Sequence, residues 1–151
     1  MGSVEKTIEV DVPVTTAYNQ WTQFEEFPRF MEGVQEVRQL GDSRLYWKAD
    51  VGGRDKEWYA RILEQLPDQR VVWQSEQGAQ NGGQVTFESI DGSRTRITLN
   101  MQYEPDDFVE SVGDVLGFVS RRVQGDLERF KEFIELRGEE TGAWRGSIRA
   151  R

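Results

Sequence analysis

The sequence contains no cysteine and no histidine among its 151 residues. Without cysteine there is no disulfide, no thiolate nucleophile and no sulfur ligand for a metal. Without histidine the chain lacks the side chain that titrates nearest neutral pH, and the Ser-His-Asp mechanism goes with it. The two absences together remove the usual transition-metal sites, so no metal and no cofactor are expected. Acid–base chemistry is left to carboxylates, Lys, Tyr, Ser and Thr. Basic residues are also in deficit: 19 Lys plus Arg stand against 27 Asp plus Glu, a net charge of -8. That balance speaks against a nucleic-acid partner and against electrostatic binding to a membrane surface. Mean hydropathy is -0.69, and no apolar run approaches the ~20 residues of a membrane span. Glu5, Glu9 and Asp11 fall where a secretory leader needs an apolar stretch, so a cytoplasmic chain is expected.

The length suits one domain, burying roughly 68–70% of the surface its unfolded chain exposes. Turn signals recur at Gly41-Asp42-Ser43, Gly52-Gly53, Pro67-Asp68, Asn81-Gly82-Gly83 and Asp91-Gly92-Ser93. Between them lie segments rich in aromatic and β-branched residues. Ile97, Leu99, Met101 and Tyr103 alternate with Arg96, Thr98, Asn100 and Gln102, the pattern of a half-buried strand. The alternation repeats in Leu45, Trp47, Ala49 and Val51, in Trp58, Ala60 and Ile62, in Val71 and Trp73, and in Val85 and Phe87. Val4 to Val12 and Val34 to Leu40 complete seven expected strands. Short turns between successive strands imply an antiparallel meander with one buried face.

Two places read as helical. Pro13 to Trp21 has proline at a helix start, and Glu25 to Met31 adds a short helix interrupted near Pro28. From Asp106 to Arg137 the period changes to 3.6, with Phe108, Val112, Leu116, Val119, Val123, Leu127, Phe130 and Ile134 on one stripe. Asp106 and Asp107 suit the positive end of the helix dipole, and Gly138 is a natural stop. Such a helix is on the order of 45 Å long at ~1.5 Å per residue. Its stripe needs an apolar partner, and the sheet is the large one available. The domain is placed at 1–138, with a polar tail at 139–151 that reads either as a loose terminus or as one docked through Trp144, its single large apolar group, which is better explained as an anchor or packing contact than as a ligand-binding group.

Particular residues go further than the element order. Pro13-Val14-Thr15-Thr16-Ala17-Tyr18-Asn19-Gln20-Trp21, then Phe24, Phe27-Pro28-Arg29-Phe30-Met31 and Val34, resemble the opening of the polyketide cyclase/dehydrase family, part of the START-like, birch-pollen-allergen-like superfamily. Glu57-Trp58, Trp73-Gln74-Ser75, Gly83-Gln84-Val85-Thr86-Phe87 and Asp126-Leu127-Glu128-Arg129-Phe130-Lys131 resemble it too. The resemblance runs from about Val4 to Gly138. It implies an α+β helix-grip fold: a seven-stranded curved antiparallel sheet wrapped around a long C-terminal helix, with two short helices after the first strand. Relatives in that superfamily bind lipids, quinones, hormones or polyketides between sheet and helix, and some cyclise polyketides. They share no single catalytic motif, so no catalytic residue is carried over.

The candidate ligand-binding wall is Trp47, Trp58, Ala60, Trp73, Val85, Phe87, Leu99, Met101 and Tyr103 on the strands, with Val112, Leu116 and Val119 on the helix. Periodicity alone fits a filled core as well as a lined cavity; the resemblance implies the cavity, and Trp and Tyr suit such a wall. Gly113 and Gly117 share a helix face beside the stripe, where each costs ~1 kcal/mol relative to Ala. They form a shoulder with Ser120 that either borders a ligand path or admits a close-packed element. Arg54 and Lys56 have the parity of Trp58 and either sit at the cavity mouth or are solvated charges beside Gly52-Gly53. Tyr103 is the best single candidate for a hydrogen bond or proton to a ligand carbonyl. Glu104, Asp106 and Asp107 are better explained as helix capping than as a Ca²⁺ site. Three functions follow: a carrier or sensor of a lipid-, quinone- or polyketide-like apolar molecule, a cofactor-free cyclase or dehydratase, or a protein-interaction module with a filled core.

Overall fold

The computed structural model describes residues 2–104 and 115–149. The seven strands are β1 (Gly2–Val10), β2 (Val34–Gln39), β3 (Arg44–Val51), β4 (Arg54–Leu66), β5 (Arg70–Gly78), β6 (Asn81–Asp91) and β7 (Arg94–Tyr103). They form one sheet in the order β1-β7-β6-β5-β4-β3-β2, with every neighbouring pair antiparallel. The period-two pattern sets which face is covered. On β4, Trp58, Ala60 and Ile62 are buried, while Arg61 and Leu63 face outward. Bulges in β4 against β5, between Tyr59 and Ala60 and between Ile62 and Glu64, shift the register. After the second, Gln65 takes the buried position.

One expected turn is misplaced. Asn81-Gly82-Gly83 begins β6, and the chain reverses at Gly78, which has φ +88°. The two following glycines serve close approach instead of turning. A side chain at Gly82 would meet the Gln74 amide at 2.5 Å, and one at Gly83 would run into the Asn100 carbonyl of β7.

Helix α1 (Val14–Trp21) starts after Pro13, and Phe24–Arg29 forms a 3-10 helix that contains Pro28. Helix α2 is described over Val115–Arg137. The expected start at Asp106, with Asp107, Phe108, Val112 and Gly113, lies outside the described residues. Gly138, at φ +74°, ends α2 with its N–H donating to the Ile134 carbonyl. Val119, Val123, Leu127, Phe130 and Ile134 are buried as the stripe requires. Leu116 departs from it: it is 56% exposed, because no described element covers the first turn of α2.

The solid part of the core is aromatic. Trp21 meets Phe27, Phe87 and Phe130 with ring centroids 5.4, 6.2 and 5.1 Å away, and Tyr18 meets Phe87 edge-on at 5.4 Å. Phe30 joins the 3-10 helix to α2 through Phe130 at 5.2 Å. The tail is docked, and hydrogen bonds hold it. Thr141 and Gln20 exchange hydrogen bonds of 2.8 and 3.1 Å, and Ile148 pairs with Gln65 through both backbone groups. Arg145 grips Asp68 with two bonds and Asn19 with one. Polar side chains on α1 and at the β4–β5 turn thus hold a segment with little apolar surface of its own.

Candidate functional site

A cavity of about 170 Å³ lies between the sheet and the N-terminal half of α2. Its walls follow from the elements already placed. Inward positions of β3, β4 and β5 supply Leu45, Trp47, Ala49, Trp58, Ala60, Ile62, Val71 and Trp73. β7 supplies Leu99, Met101 and Tyr103, and α2 supplies Phe118, Val119, Val123 and Leu127. Trp21, Phe24, Phe27 and Met31 close it from the short helices. Trp47 and Trp58 stack with centroids 5.6 Å apart and planes 11° apart, so the two indoles brace each other in the wall. The surface is almost wholly apolar. A dry cavity of ~150 Å³ lined by aliphatic and aromatic groups takes up a benzene-sized molecule, and this one is of that order.

The polar atoms gather at few points. Asn81 is buried and engaged: its Oδ1 accepts from Trp73 Nε1 at 3.0 Å, and its Nδ2 donates to the Ala79 carbonyl at 3.2 Å. Tyr103 is 1% exposed, and its hydroxyl lies beside Gly2, where an added Cβ would meet Oη at 2.6 Å. The phenol is therefore turned toward β1.

A second polar point joins α2 to the loop after the 3-10 helix. Arg122, Asp126 and Glu32 all line the cavity. Arg122 Nη1 donates to the Glu32 carbonyl at 2.8 Å and to the Asp50 carbonyl at 3.3 Å. Asp126 Oδ1 accepts from the Glu32 N–H at 3.0 Å and from Arg129 Nη2 at 2.6 Å. Burial pushes the Asp126 carboxyl up to about 6, against the pull of those bonds and of the Arg129 and Arg122 charges. A carboxyl that titrates there can hold or release a proton near neutral pH, a role open to no histidine in this chain.

Among the expected wall residues, Trp47, Trp58, Ala60, Trp73, Leu99, Met101, Tyr103 and Val119 are brought together around the cavity. Val85 and Phe87 are not; they are buried in the solid core, Phe87 against Tyr18 and Trp21. Leu116 is outside the wall and exposed, and Gly117 is half-buried and also outside it. Val112 and Gly113 fall outside the described residues. Arg54 is exposed at the β3–β4 turn and Lys56 is half-buried; neither lines the cavity. Sequence reasoning missed Arg122 and Asp126. The signal was present: they sit at i and i+4 inside the stretch Val119, Val123, Leu127, so two charged side chains share the face of the apolar stripe.

The site sits in a curved antiparallel sheet that grips a C-terminal helix over an apolar cavity. The chain belongs to the family described as polyketide cyclase/dehydrase and lipid transport, which it matches over residues 10–132. It is 54% identical over 149 residues to a 17.2 kDa protein of Streptomyces lincolnensis, covering 98% of this chain and 99% of that one. Its fold is similar to that of a START superfamily protein from Mycobacterium smegmatis, with TM-score 0.77 and 14% identity over 89% of this chain and 97% of the other. It is also similar to the Zhui aromatase/cyclase of a Streptomyces species, with TM-score 0.72 and 18% identity over 95% and 99% of the two chains. No described helix is long and apolar enough to cross a membrane.

Proposed function

We propose that the protein binds an apolar, ring-containing small molecule of lipid-, quinone- or polyketide-like type and acts as its carrier or sensor. The observation that carries this reading is the cavity itself, walled by Trp47, Trp58 and Trp73 and nearly free of polar surface. Binding would be driven by removing the ligand's apolar surface from water, roughly 25 cal/mol per Å². Indole walls favour an aromatic ligand, whose ring they can meet edge-on or offset-stacked. The volume limits what enters: drug-sized ligands occupy clefts of ~300–1,000 Å³, so one or two rings would be enclosed and a longer chain would trail from the mouth. Native mass spectrometry of protein purified from its own host tests this. A stoichiometric small-molecule adduct that Trp58→Ala loses supports the reading; a mass equal to the bare chain, with no uptake of added apolar probe, contradicts it.

A second reading, a cyclase or dehydratase, is favoured by one observation: the Asp126 carboxyl, with its proton affinity raised by burial, stands in the cavity wall. A poly-β-keto chain folded against the indoles would be held in reacting geometry, and Asp126 would move the proton that enolisation or loss of water requires. Single-turnover assays with a poly-β-keto thioester separate the readings. Cyclised product that disappears in Asp126→Asn while probe binding persists favours the enzyme; no product over background favours the carrier.

A further inference from the structure

The cavity's charged edge is built with more order than an apolar container needs. Arg122 is fixed by two backbone carbonyls from different elements, Glu32 in the loop after the 3-10 helix and Asp50 in β3. Gly33 makes this possible. It holds φ +81°, and a Cβ there would lie 2.6 Å from the Asp50 carbonyl and run into the guanidinium. Arg129 Nε ties the same loop by donating to the Phe30 carbonyl at 2.8 Å. The functional groups are therefore held in place before any ligand arrives, which lowers the ordering cost of recognition.

Their remaining capacity is specific. Both hydrogen bonds to Asp126 fall on Oδ1, so Oδ2 has no partner among the described residues. The hydrogen bonds of Arg122 all leave from Nη1, so Nε and Nη2 have none among the described residues. One side chain can still accept and its neighbour, one helical turn away, can still donate. The Phe118 ring, 5.2 Å from the Arg122 guanidinium carbon, leaves one flank of that group apolar.

We propose that Arg122 and Asp126 read the polar end of the ligand, which carries a hydroxyl that donates to Asp126 Oδ2 and a carbonyl-type oxygen that accepts from Arg122. The ligand class is thus a hydroxylated aromatic or conjugated ketone, and not a plain hydrocarbon chain, which would offer neither group a partner. The inference rests on the binding reading above. It makes Arg122 and Asp126 specificity-determining residues, whether or not a reaction follows.

Four probes of one size test it: ethylbenzene, 3-ethylphenol, acetophenone and 3-hydroxyacetophenone, titrated calorimetrically at neutral pH. In the wild type the hydroxyl and the carbonyl should each raise affinity about tenfold over ethylbenzene. Arg122→Met should erase the carbonyl's gain and keep the hydroxyl's, and Asp126→Leu should do the reverse. Both residues also hold the loop, so a general loosening would weaken all four probes together and leave the ratios intact. Should Asp126→Leu fail to fold, Asp126→Asn should cut the hydroxyl's gain to about threefold, because a neutral acceptor replaces a charged one. Ratios unchanged in the variants, or no gain from either group in the wild type, overturn the proposal while the binding reading stands. No binding of any probe, ethylbenzene included, overturns both.

Discussion

The two halves of α2 lie on the same sheet with the same apolar period, yet one packs solid and the other lines a cavity. Toward its C-terminal end, Phe130 and Ile134 are both 0% exposed. There α1 and the 3-10 helix push the rings of Tyr18, Trp21 and Phe30 into the gap between sheet and helix. Toward its N-terminal end, Val119 and Val123 face the indoles of β3 and β4 across the cavity. The difference lies in the short helices after β1. Where Tyr18, Trp21 and Phe30 fill the gap the interior is solid, and beyond Trp21, Phe24 and Phe27, which wall the cavity, it remains open. A hollow interior here follows from which element arrives between the layers, not from any change in the hydrophobic pattern.

The largest effect should come from breaking the filled half. Phe130→Ala removes a ring packed against Trp21 and Phe30 and should cost about 3–5 kcal/mol. Met101→Ala, at a half-buried cavity position, should cost less than about 2 kcal/mol, because the space beside it is already open. Denaturant unfolding of both variants checks the contrast, and equal losses would mean that the two halves are packed alike.

The next effect is electrostatic and belongs to the cavity half. Asp126 binds its proton more tightly in the folded chain, at about 6 against 3.8. Its contribution to stability is therefore fully present below the unfolded value and is lost as pH rises through about 6. A shift of that size corresponds to a change on the order of 3 kcal/mol across the window. Asp126→Asn should accordingly gain on the wild type between about pH 4 and about pH 7. A stability difference that stays flat over that range would show that burial does not dominate at this carboxyl.

The smallest effect concerns the docked tail. Arg145 and Asp68 are both partly exposed, and such pairs contribute ~0–1 kcal/mol. Arg145→Ala should lower stability by at most about 1 kcal/mol and leave ethylbenzene binding unchanged, since the tail lies outside the cavity wall. A loss of binding in that variant would tie the filled and open halves together more closely than the packing suggests.

How much of this was legible follows from the kind of signal each feature leaves. The strands of the meander are legible because alternation over β7, as in Ile97, Leu99, Met101 and Tyr103, has no competing reading. The turn at Asn81-Gly82-Gly83 misleads because glycine marks close approach as readily as reversal, and only the neighbouring Asn100 and Gln74 tell which. Phe87 and Trp58 share the inward parity of their strands, but Tyr18 and Trp21 cover one and the cavity borders the other. That distinction depends on contacts far apart in sequence. Arg122 and Asp126 are hard to pick out because charged residues on a helix usually mark its wet face. Their partners, the backbone of Glu32 and Asp50, leave no trace in composition. The polar tail offers Trp144 as its one visible anchor, whereas what holds it is a set of hydrogen bonds to Gln20, Asp68 and Gln65.

The central claim is that the open half of the interior receives a small apolar molecule. Calorimetric titration with ethylbenzene at several temperatures tests it most directly. One saturable site per chain with a negative heat-capacity change is predicted, the signature of apolar surface removed from water. Heats that never saturate, or binding that survives when Ala60→Trp places an indole in the cavity, would contradict it.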